Sequence, residues 1–130
     1  MQEVPQADAV EGRGLIGDVR ASARRGITFL SQEQWNVVLN ELQATLPWHT
    51  RRANVLVTGL DLTATVGKRL SIGEVLVEIL GETEPCDLMD QQHFGLRAAL
   101  TPDYRAGVHG RVLSSGTIRI GDAIAEIDAP

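Results

Sequence analysis

One cysteine, three histidines and two arginine clusters are the side chains of this chain whose types could do chemistry. Cys86 is the only cysteine among 130 residues. It follows Pro85, just past a strand-like run from Glu74 to Leu80. A thiol at a strand end, behind a residue that fixes the backbone, is placed to face a pocket. Glu82, Glu84, Asp87 and Asp90 are its sequence neighbours, and nearby carboxylates disfavour the thiolate and weaken it as a nucleophile. Reactivity therefore requires cations from elsewhere in the fold. The residues leave Cys86 open as a structural, a reactive or a metal-ligating thiol, and a buried free cysteine acting as a small hydrophobe is the plainest of these. A single thiol forms no internal disulfide, and with His49, His93 and His109 scattered along the chain it supplies no tetrahedral zinc cage.

Arg51 and Arg52 immediately precede a strand beginning near Ala53, with Asn54 as a further polar group. Two guanidinium forks and an amide can hold a phosphate or a carboxylate; two solvated arginines flanking a strand look the same in sequence. Arg20, Arg24 and Arg25 form a second such cluster, and His109 leads to Arg111 within another strand. Lys68, the one lysine, sits in a Gly67-Lys68 turn and is expected to face solvent, so no Schiff base to a covalently bound pyridoxal phosphate is expected. There is no Gly-x-Ser-x-Gly elbow, no Walker loop and no His-Glu-x-x-His.

Length and composition bound what can position these groups. The chain is long enough for one domain that buries roughly two-thirds of its unfolded surface. Its 43% hydrophobic and 22% charged content is that of a folded globular protein. A net charge of −5 argues against a nucleic-acid partner. Apolar runs are a few residues long, so no membrane span is expected, and the segment up to Glu11 reads as no secretory signal. A cytoplasmic location is expected.

Residues 1–11 are polar and aperiodic and read as a flexible N-terminal arm, followed by one domain over 12–130. Gly12 to Asp18 suits a short strand with turns, and Ile27 to Leu30 a buried strand. Ser31 with Gln34 three residues on makes a capping box. Trp35, Val38, Leu39, Leu42 and Leu46 then follow at helical spacing toward Pro47. After Thr50 come strand-length runs: Ala53 to Thr58, Arg69 to Ile72, Glu74 to Leu80, Gly107 to Leu113, Thr117 to Ile120 and Ala123 to Ile127. Such a series favours a closed or nearly closed all-β body. Ile72-Gly73-Glu74 is echoed at Ile120-Gly121-Asp122, which predicts two related hairpins. Between Cys86 and Arg105 one or two short helices, broken at Gly95, are expected over one mouth of the barrel, where a site would be built.

Together these pieces resemble a MOSC domain, the module named for the C-terminal region of molybdenum-cofactor sulfurases. The resemblance runs from about Gly12 to Asp128. It rests on Gly14 to Asp18, Ile27 to Trp35, Arg52-Ala53-Asn54-Val55-Leu56-Val57-Thr58-Gly59-Leu60-Asp61-Leu62, Gly67 through Ile72-Gly73-Glu74, Pro85-Cys86, and Gly110-Arg111-Val112 with Gly116 and Ile120-Gly121-Asp122. It implies a mainly β fold, a MOSC-type β-barrel with a few peripheral helices, in which Cys86 is central. In one branch of the family such a cysteine carries sulfur as a persulfide; in another it ligates the molybdenum of a pterin cofactor in enzymes that reduce N-hydroxylated compounds. Where the family's strand start is commonly Gly-Glu-Asn, Ala53 stands for the acidic residue, so a role for that carboxylate does not carry over.

The resemblance thus implies a protein that handles sulfur or molybdenum cofactor, with Cys86 as persulfide carrier or metal ligand. Arg51, Arg52 and Asn54 would form an anion-binding rim for a cofactor phosphate, and His109 and Arg111 would be further pocket residues. It implies a cysteine desulfurase or a molybdoenzyme as partner. The alternatives are a non-catalytic barrel that binds such a partner through its edge strands and the Trp35 helix, and a compact molybdenum-cofactor-dependent reductase with an electron-transfer partner. The 130 residues hold neither the N-terminal β-rich extension of the reductases nor the pyridoxal-phosphate desulfurase domain of the sulfurases, so a self-contained sulfurase is not expected.

Overall fold

Ser31 starts the longest helix among the described residues. Its side chain accepts from the Gln34 amide at 3.2 Å, satisfying one of the free donors of the first turn. In the computed structural model, which describes residues 5–16, 26–48, 53–84 and 88–127, the helix α1 spans Gln32–Leu42. It ends where Gln43 turns left-handed at φ 51°, four residues short of the predicted stripe's last leucine. Leu46 still joins the same core, because the buried Trp35 indole donates to its carbonyl oxygen at 3.2 Å. Helical spacing thus continued past the helix by coincidence of packing.

Around α1 the described residues are mainly β. Nine strands run in the order β1 (Gln6–Val10), β2 (Gly14–Leu15), β3 (Ile27–Ser31), β4 (Val55–Val57), β5 (Arg69–Ile72), β6 (Val75–Glu82), β7 (Val108–Ser114), β8 (Gly116–Arg119) and β9 (Ile124–Ile127). Two short helices, α2 (Leu88–Gln92) and α3 (Leu96–Leu100), lie between β6 and β7. The chain divides into two compact units.

The first unit is built from Thr28–Ala64 and Glu82–Val108. Strand β3 is buried at all five positions and pairs in parallel with β4, Phe29 opposite Val55; burial on both faces explains its continuous apolar run. Leu30, Trp35, Val38, Ala53, Met89, Leu96, Leu100 and Ala106 form one apolar core. The break predicted at Gly95 is present: Gly95 has φ 88° and caps α3. However, α3 places Leu96 and Leu100 in the α1 core, so the insertion completes a core where a site had been expected. Arg105 fastens it, with Nη1 donating to Glu41 at 2.8 Å and to the Ala99 carbonyl at 3.1 Å.

The second unit contains Thr65–Gly81, His109–Pro130 and the segment ending at Ile27. Its larger sheet has the order β7-β6-β5-β9. Alternation is clean on β5 and β6: Leu70, Ile72, Val75, Val77 and Ile79 are buried, and the residues between them are less so. A smaller sheet has the order β2-β1-β8.

Two expectations change here. Residues 6–10, read as part of a flexible arm, are strand β1: Gln6 to Ala9 pair with Arg119 to Gly116, and Thr117 Oγ1 donates to Asp8 at 2.7 Å. The partner lies more than a hundred residues away, so nothing local in the sequence marks the pairing. The first Ile-Gly-acid turn does close a hairpin, Ile72 opposite Val75. The second does not. Gly121, at φ 91°, lets the chain leave β8 in one sheet and enter β9 in the other, where β9 pairs with β5.

Gly107 shows how tightly the first unit is packed. It has φ 97°, and a side chain there would collide with the Phe29 carbonyl oxygen. Gly107→Ala should cost about 1–3 kcal/mol from backbone strain alone and lower Tm by roughly 5–12 °C. A thermal melt unchanged to within a degree would show that this approach is not tight in solution.

Candidate functional site

Asn54 is the one rim residue of the first unit that the structure describes, and its oxygen and backbone amide are engaged. Its Oδ1 accepts from the Thr28 amide at 2.9 Å and from Thr28 Oγ1 at 3.0 Å, while its own amide donates to Thr28 Oγ1 at 3.0 Å and to the Thr28 carbonyl at 3.2 Å. Thr28 is buried, so its polar groups need these partners. The side chain clips the entry of β4 onto β3 and fixes their register.

His109 and Arg111 lie two residues apart on β7, in the second unit. Arg111 Nη2 is 2.6 Å from Glu78 Oε1 on β6. The pair forms because β6 and β7 approach closely: a side chain at Gly110 would run into the Glu78 carbonyl oxygen and come within 2.9 Å of Val77 Cγ1. The His109 ring lies against the backbone of Gly81, where a methyl group would meet Cε1 at 3.5 Å. Lys68 faces solvent as expected, pairing with Glu126 at 3.3 Å, and His93 Nδ1 lies 2.9 Å from the Phe94 carbonyl oxygen.

Sequence reading missed a cavity of about 470 Å³ at the start of α1, lined among others by Ser31, Glu33, Asp61, Asp103 and Tyr104. Its acidic groups have structural duties. Both Glu33 carboxylate oxygens accept from the Gly59 amide, at 3.1 and 3.0 Å, and Asp61 Oδ1 accepts from the Thr63 amide and hydroxyl at 3.0 and 2.6 Å. Asp103 and Tyr104 both have positive φ, 52° and 55°, a conformation that non-glycine residues rarely adopt and that no sequence pattern announced. Asp61-x-Thr63 was a legible turn signal.

Cys86, Arg51 and Arg52 lie outside the described residues, as do Arg20, Arg24, Arg25 and His49. Among the described residues, no group of three or more His, Cys, Asp or Glu is arranged to hold a metal ion. No helix among them is long and apolar enough to cross a membrane.

The model of the MOSC domain family matches residues 17–125. The chain belongs to the MOSC domain family. Among solved structures, the MOSC chain is similar to the YuaD protein from Bacillus subtilis, with TM-score 0.78 and 22% identity over 95% of this chain and 85% of that one. It is similar to YiiM from Escherichia coli, with TM-score 0.79 and 16% identity over 100% of this chain and 66% of that one. YiiM from Geobacillus stearothermophilus gives TM-score 0.73 and 20% identity over 80% and 55% of the two chains. The chain therefore spans less than two-thirds of either YiiM. No curated protein matches it. At these identities the likeness shows the fold, and the mainly β MOSC-type fold is established.

The MOSC family is associated with molybdenum-cofactor sulfurases and with binding of molybdenum cofactor. Of the residues that the resemblance assigns to that cofactor, Asn54, His109 and Arg111 are among those described. The Asn54 oxygen is committed to Thr28, and Arg111 is held by Glu78. Asn54 is also expected to matter for stability. Asn54→Ala leaves a buried amide and hydroxyl of Thr28 without their acceptor and should lower the unfolding free energy by about 2–3 kcal/mol. Denaturant titration checks this; a loss below about 0.5 kcal/mol would mean that the clip is dispensable.

Proposed function

We propose that this MOSC protein handles sulfur or molybdenum cofactor through Cys86, in the cytoplasm, in partnership with a cysteine desulfurase or a molybdoenzyme. Family membership across residues 17–125 carries the reading, because Cys86 falls inside that span and is the chain's only thiol. The thiol has two chemical uses that need no other cysteine. As a carrier, the thiolate takes a sulfane sulfur from a donor persulfide, releasing the donor's thiolate. It returns to the free thiol when that terminal sulfur passes to an acceptor. As a ligand, the soft thiolate suits molybdenum.

In either use Arg51 and Arg52 are the groups we assign to the anion that accompanies the sulfur or the cofactor. Two guanidiniums near a thiol also favour its ionised form, which offsets the acidic sequence around Cys86. Asn54 completes this rim; its oxygen is engaged by Thr28, and its Nδ2 is the donor that an anion would use. The reductase reading, with an electron-transfer partner, uses the same thiol as ligand.

The rival reading, a partner-binding module without chemistry, would use the edge strands and the outer face of α1, where Val37 is exposed. Trp35 is 1% exposed and Val38 0%, so the opposite stripe of α1 faces the core.

The test is the molybdenum, pterin and sulfane-sulfur content of protein purified anaerobically from a cofactor-replete host, wild type against Cys86→Ser. Wild type is expected to carry molybdenum with pterin, or sulfane sulfur after incubation with a desulfurase and cysteine, and Cys86→Ser to lose at least nine-tenths of it, roughly a tenfold loss or more. Equal contents in the two proteins would overturn the reading and leave Cys86 as a packing residue.

A further inference from the structure

We draw no further inference here: the strongest candidate, the cavity of about 470 Å³ at the start of α1, carries nothing because its lining is an acidic cluster in which Glu33 and Asp61 are already engaged by the Gly59 and Thr63 amides, and no buried unpartnered side chain among the described residues that line it points to a ligand.

Discussion

A buried amide and hydroxyl at Thr28 have to be satisfied, and the satisfaction comes from a side chain twenty-six residues away. Strand β3 is buried at every position, so no water can serve its polar groups, and an unpaired donor there would cost about 1–3 kcal/mol. Asn54 answers that demand and in doing so fixes where β4 begins. The parallel register, Phe29 beside Val55 and Ser31 beside Val57, follows from it. Ser31 is both the last residue of β3 and the cap of α1, so that register also sets where the helix starts and where its apolar stripe points.

In the second unit the governing constraint is steric. Gly110 has no side chain where one would strike the Glu78 carbonyl, and that lets β6 and β7 come close enough for Arg111 to hold Glu78. The same economy appears where the two Ile-Gly-acid turns meet: a side chain at Gly73 would collide with the Asp122 carboxylate. Asp122 is not idle there, since its carboxylate accepts from the Arg119 amide at 2.8 Å. Charged groups are thus placed on an outer face by close backbone contacts on the inner one.

Membership in the MOSC family accounts for the fold, and a fold does not perform chemistry. What the family adds is attention to a thiol, and what the structure adds is a sorting of the charged groups. Asn54 and Glu33 each accept from a backbone amide of a distant segment, Thr28 and Gly59. Arg111 holds Glu78 across two strands.

Local physics was legible from sequence wherever the deciding partner lay a few residues away. Ser31 with Gln34 gave the helix start, Gly95 the break between α2 and α3, and Gly73 the hairpin between β5 and β6. Each is settled within one turn of chain by a cap or a left-handed glycine. Tertiary structure alone decided the rest, because the partners lie far apart. It made a strand of Gln6–Val10 by supplying β8 as its neighbour. It also ended α1 at Leu42 while keeping Leu46 in the core, and sent the second Ile-Gly-acid turn from one sheet to another. The Arg111–Glu78 pair belongs to this class: alternation along each strand shows which residues share a face, and only the approach of β7 to β6 brings that guanidinium to that carboxylate.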